Sequence, residues 1–235
     1  MLFRSGQQRQ RQTRLSAWDR FRVADGPVAA IGRFLVAGTI VGGVLGFGST
    51  VNTVRELDIY NGLDRAVVVD MLGQHVPVDA GGHAVVNVPL AASRDVETRT
   101  EDGQLIEALK PGDNNPPGHL IYNVAGASPL VQWAAVYGDY PKSDPVALGN
   151  PTWTDSVADV FFTEPPASVH MSDGTRGEQR LVVSGMGQAT PDIQLGYLKS
   201  EAEKNQLIQA HVKWDKPGTL TYARWQALAH RVPTP

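Results

Sequence analysis

Residues 57–88, LDIYNGLDRAVVVDMLGQHVPVDAGGHAVVNV, decide the fold. Short apolar runs are interrupted by Asn61-Gly62 and Gly81-Gly82, residue pairs that tolerate the backbone of tight turns. Leu57 with Ile59, then residues 66–69, read as two strands joined through Asn61-Gly62. Residues 75–78 and 84–88 read as two more, with Gly81-Gly82 as the hairpin turn between them.

Working outward, the same rhythm continues at 96–100, 105–109, 120–124 and 130–136, and Asp102-Gly103 supplies another hairpin turn. Strands this short, with turn signals every eight to twelve residues or so, predict an antiparallel, immunoglobulin-like β-sandwich. Its expected extent is 55–140. No motif is specific enough to assign it to a named family.

Residues 110–118, KPGDNNPPG, are too rich in proline and glycine for strand or helix and read as a loop. A second loop, 138–151, carries Pro141, Pro145 and Pro151 and marks the expected boundary to a C-terminal α+β segment, 150–235. There, 159–163 and 180–184 read as strands, with Asp173-Gly174 as a turn. Ser200 and Glu203 stand in capping-box spacing ahead of Leu207, Ile208, His211 and Val212, so a helix is expected to start at Ser200 and to end at 215–218, DKPG. Residues 219–231 fit a helix burying Tyr222, Trp225 and Leu228, or a strand through Leu220, Tyr222 and Arg224. Periodicity does not separate the two.

Upstream, residues 34–51 read FLVAGTIVGGVLGFGSTV, eighteen residues without a charge. At a rise of ~1.5 Å per residue they just cross a ~30 Å hydrocarbon layer, and the expected transmembrane helix is 28–51. The first 33 residues hold seven arginines against Asp19 and Asp25, a balance of +5; the net charge of −3 leaves −8 on the rest. By the positive-inside rule the basic tail, 1–27, stays in the cytoplasm as a disordered segment and the body is exported. A cleaved signal peptide is the rival reading, although the positive tail is long and no strong A-x-A site follows. Gly38, Gly42 and Gly46 recur every fourth residue along one helix face, where another helix could approach closely. Glycine is also common in transmembrane helices generally.

The acidic body argues against a nucleic-acid partner. The chain has no cysteine, which excludes disulfides, thiolate metal sites and cysteine nucleophiles. No phosphate loop, HExxH, GxSxG or dinucleotide fingerprint is present, and no cofactor is expected.

Three weaker constellations remain. His75 and Asp79 share a strand face and His83 lies across a turn, so imidazole and carboxylate could meet at a metal or proton-transfer site; solvated residues beside a turn are the favoured reading. Met71, His75, His170 and Met171 have the ligand chemistry of copper but are not clustered. Trp133 and Tyr137, with Tyr122 in the preceding strand, would suit sugar rings if exposed and are core if not. Core is also the default for Trp153, Trp214 and Trp225. Glu164-Pro165-Pro166 could dock a partner or shield an edge strand.

A composition rich in Ala, Val, Gly, Arg and Asp points to a GC-rich bacterial genome. The expectation is therefore a single-pass protein of a bacterial inner membrane, its body on the extracytoplasmic side, binding or scaffolding an envelope complex in contact with lipid and a protein partner. An envelope hydrolase and a cell-wall polymer-binding module are the alternatives. Its oligomeric state is left open.

Overall fold

The computed structural model describes residues 54–89, 95–110, 119–170 and 177–231. The expected tail, the membrane helix with Gly38, Gly42 and Gly46, and the turn at Asp173-Gly174 lie outside them. Among the described residues no helix is long and apolar enough to cross a membrane.

The body is mainly β, with three antiparallel-rich sheets of four strands each, consistent with a β-sandwich. The first sheet has the order β10 (Trp153–Ser156), β7 (His119–Asn123), β1 (Val54–Tyr60), β4 (His83–Pro89). The second runs β3 (Gln74–Val78), β2 (Val67–Met71), β5 (Val96–Thr100), β6 (Leu105–Leu109). The third runs β11 (Val160–Phe161), β12 (Gly177–Gly185), β8 (Leu130–Gly138), β9 (Val146–Gly149).

Side chains alternate across a strand, so each face of the first sheet can serve a different core. Leu57, Ile59, Val86, Val88, Leu120 and Tyr122 meet Val67, Val69, Met71, Val76, Val78 and Val96 of the second sheet. On the other face, Tyr60 and Ile121 meet Leu130 and Val183 of the third, with Phe161 and Phe162 packed alongside. The first sheet is thereby covered on both sides, which explains why β7 is apolar at successive positions rather than alternating.

Several expected turns are turns, but not between paired strands. β1 pairs with β4 and β7, the latter in parallel, and not with β2. Asn61-Gly62 therefore carries the chain from one sheet to the next. Gly62 does not have a positive φ; a Cβ there would stand 2.3 Å from the Ala127 carbonyl oxygen, so close approach is what requires glycine. The Asn61 side chain secures the corner, donating to the carbonyls of Arg65, Val78 and Asp79 while accepting from Leu63 N–H. Gly81-Gly82 likewise passes between sheets, from β3 to β4. The hairpin at Asp102-Gly103 does join paired strands, β5 and β6.

The hairpin between β2 and β3 turns on Leu72-Gly73, both at positive φ (53° and 73°). That is the backbone of a two-residue primed turn. Leucine at the first position hid it from the sequence.

The expected boundary at 138–151 is crossed by strand pairing: β10 joins β7, and β12 pairs with β8 along nine residues. The residues after it complete sheets begun before it. Of the two strands expected there, β12 extends to nine residues and β11 shrinks to two, parallel to β12.

Among the described residues three α-helices close the body: α1 (Pro191–Gly196), α2 (Glu201–Trp214) and α3 (Leu220–Ala229). The capping box on α2 is complete, with Ser200 Oγ accepting from Glu203 N–H and the Glu203 carboxylate accepting from Ser200 N–H. That backbone hydrogen bond holds the Glu203 carboxyl below its ordinary range. For 219–231 the helical alternative is the one formed. Thr219 caps it by accepting from Tyr222 N–H, and Trp225 is fully buried against Leu207 and Ile208. Asp215 fastens this pair to the sheets, accepting from Asp64 N–H at 2.8 Å and lying 2.8 Å from His211 Nδ1. His211 stacks on Trp225, while Ala210 and Trp214 enter the first core.

Candidate binding groove

The three aromatics singled out on the β-body separate into two environments. Tyr122 has no exposed surface. Its hydroxyl donates to Glu107 at 2.7 Å and lies 2.5 Å from Thr98 Oγ1, and its ring stacks on Trp153. Burial holds the phenol well above its usual range, and the neighbouring Glu107 charge adds to this. Glu107 also accepts from the Ala125 N–H, at a residue with φ of 54°. Burial raises the Glu107 carboxyl, and the two hydrogen bonds oppose that rise. Tyr122 is thus a core residue.

Trp133 and Tyr137 share the other environment. They alternate along one face of β8 with Val131 and Ala135, and register places Ser184, Val182, Arg180 and Glu178 beside them on β12. Val131, Ala135 and Val182 are buried, whereas Trp133 and Tyr137 are half-buried. Both line an open groove of about 920 Å³. Trp133 Nε1 donates to Ser184 Oγ at 2.9 Å, which fixes the indole against the floor.

One wall is the segment 162–167. After β11 it crosses toward β8, where the Tyr137 hydroxyl donates to the Pro166 carbonyl at 2.6 Å. Glu164-Pro165-Pro166 therefore forms groove wall and continues from an edge strand. At one end Tyr60 stacks on Phe162 at 4.7 Å, and the Gly187 N–H donates to its hydroxyl. Burial raises the Tyr60 phenol, with Gly187 and Ser128 pulling it back. A Cβ on Gly185 would fall 2.1 Å from the Tyr60 ring, so the ring's seat requires glycine there. Lys142 and Ser143, from the exposed loop after β8, complete the lining. Lys142 and Glu164 are exposed, and among the described residues neither has an ion-pair partner.

His75, Asp79 and His83 do not come together. His75 is exposed on β3 and pairs with Asp70; His83 belongs to the first sheet, where it approaches Phe162. Among the described residues no group of three or more His, Asp or Glu side chains is placed to hold a metal. Met71 is buried in the first core and His75 is exposed, so these two do not converge; His170 is exposed and Met171 lies outside the described residues. Trp153 is partly buried, and Trp214 and Trp225 are buried.

A pair that the sequence did not single out is Asp58 with His119. Asp58 is 3% exposed between Leu57 and Ile59, and its carboxylate meets His119 Nε2 while that ring stacks on Phe161. An acidic residue set between the apolar Leu57 and Ile59 was the available signal. A buried carboxylate needs a partner, and only the fold reveals which.

Compared with protein-family models, with curated proteins and with solved structures, the chain matches none.

Proposed function

We propose that this chain is a membrane-anchored, extracytoplasmic binding protein, a scaffold or assembly component of a bacterial envelope complex, whose immunoglobulin-like β-body seats its partner in the Trp133–Tyr137 groove. The observation that carries this reading is the groove itself, where two half-buried aromatics face a proline-rich wall with a cation and a carboxylate at its margins that are unpaired among the described residues. Half-buried Trp and Tyr offer large contact area at small conformational cost, which suits them to recognition. The anchor rests on the uncharged span 34–51 and the arginines before it.

A photo-activatable residue at position 133 or 163 of the full-length chain, irradiated in intact cells of its bacterial source, tests the seat. A discrete adduct in the membrane fraction, missing when the probe stands at exposed Lys216, is expected. Adducts of equal yield at all three positions, or none at 133 and 163, would contradict the reading.

The polymer-binding alternative draws on the same two side chains, since a sugar ring could stack on Trp133 or Tyr137. The hydrolase alternative draws on Asp, Glu and His side chains that meet in three dimensions, and the weak candidates for it, His75 on β3, Asp79 just after β3 and His83 on β4, lend it no support as a group.

A further inference from the structure

β8 is bonded unequally on its two sides. Toward β12 it pairs over all nine residues, but toward β9 only Leu130, Val131 and Gln132 are paired. Which groups face the free side follows from the ladder. Leu181 and Val183 turn their carbonyls away from β8, accepting from Asp159 and Phe162 N–H. Alternate residues of an antiparallel strand bond to opposite neighbours, so Val182 and Ser184 bond across to Trp133 and Val131. Ala134 and Val136 then point their N–H and C=O groups outward, and among the described residues no backbone group answers them. Both residues line the groove.

An open edge is a liability that folds usually blunt with short strands or proline. This protein does so elsewhere: β11 has two residues, β9 has four, and edge strand β3 carries Pro77. The β8 edge beside Trp133 and Tyr137 has neither device.

We infer that the groove takes an extended peptide, added as a further strand along the outer edge of β8 at Ala134 and Val136, with a carboxylate of that peptide at Lys142. This deepens the groove-binding reading and rests on it. Two donor–acceptor pairs about 7 Å apart, the two-residue repeat of a strand, match the backbone of another strand. Alternate side chains of the added strand would face the side that carries Trp133 and Tyr137. The carboxylate assigned to the occupant rests on Lys142, an exposed ammonium in the loop that follows β8 and without an ion-pair partner among the described residues; Glu164, the other unpaired charge of the groove, belongs to the segment that follows β11.

The probe is a decapeptide selected from a random display library on the full-length chain in detergent, with the Trp133→Ala chain as counter-selection. Methylating each peptide nitrogen in turn should cost about tenfold in affinity at every second position within the paired segment and little in between, the scale of one lost hydrogen bond. Val136→Pro removes an outward N–H and should weaken binding similarly while far-UV circular dichroism and Tm are kept; Lys142→Glu should weaken binding less. The methylation scan needs no protein variant, so it stands even if Val136→Pro misfolds.

Several results would overturn strand addition. A peptide that is lost with Trp133→Ala but shows no alternation in the scan sits in the groove without joining β8, which leaves the groove reading intact. Failure to select any peptide while adducts at 133 and 163 persist in cells has the same meaning, and preferential capture of soluble glycan fragments would assign the groove to sugar. A concentration-dependent dimer abolished by Val136→Pro would assign the edge to a second copy of the chain.

Discussion

Tyr122 and Tyr137 sit on consecutive strands, in the segments HLIYN and AAVYG, and end in opposite environments. Tyr122 is sealed between two sheets with its hydroxyl held by Glu107 and Thr98. Tyr137 stands at an open groove and uses its hydroxyl on the carbonyl of a crossing loop. The difference lies in what covers each strand face. A second sheet completes the surroundings of Tyr122, whereas among the described residues it is the crossing segment 162–167 that reaches over to Tyr137. The closed region supplies stability, and the uncovered one has surface left for a partner.

The largest test of this contrast is at the junction of the two regions. Gly185→Ala drives a methyl group into the Tyr60 ring, which Phe162 and Gly187 hold in place. Overpacking of this kind should lower unfolding free energy by about 3 kcal/mol in a denaturant titration. Next come the two tyrosines themselves. Tyr122→Phe removes the donor to Glu107 from a buried site and should cost about 1–3 kcal/mol, while Tyr137→Phe should cost about 0.5 kcal/mol or less because solvent can serve the freed carbonyl. Equal costs in the same titration would erase the distinction.

Much of the local structure was legible before the fold. The capping box at Ser200 and Glu203 marked α2, and Asp102-Gly103 marked a true hairpin. Asn61-Gly62 and Gly81-Gly82 were legible as turns but not as crossings, because a turn signal says that the chain bends and not which strands then pair. The parallel β1–β7 pair was beyond reach, since about sixty residues separate its partners and nothing local encodes it. For the groove, alternation put Trp133 and Tyr137 on one face, yet periodicity cannot say whether another layer covers that face. The open edge of β8 was also invisible, because it depends on where β9 stops pairing.

Two smaller tests sharpen the closed side. Burial raises the Glu107 carboxyl, so the folded chain binds that proton more tightly than the unfolded one does. The contribution of Glu107 to stability is then complete below the unfolded carboxyl pKa of about 4.3 and is lost as pH rises through the elevated folded value. Glu107→Gln keeps an oxygen for Tyr122 and Ala125 without the charge, so its stability relative to the parent should improve as pH rises through that window, measured by thermal unfolding across pH 4–8 or so. A constant difference would remove Glu107 from the account. Leu72→Asn relieves a β-turn leucine at φ of 53° and should add about 0.5–1 kcal/mol. A loss of stability would show that Leu72's partial contact outweighs its backbone strain.

The contrast between closed and open meets within one strand. Amide hydrogen exchange of the ligand-free, full-length chain, resolved residue by residue along β8, reads it directly. The amides of Trp133, Ala135 and Tyr137, which bond to β12, should be strongly protected, while those of Ala134 and Val136 should exchange at least about tenfold faster. Uniform protection from Trp133 to Tyr137 would mean that the outer edge of β8 is already covered, and would contradict the open groove.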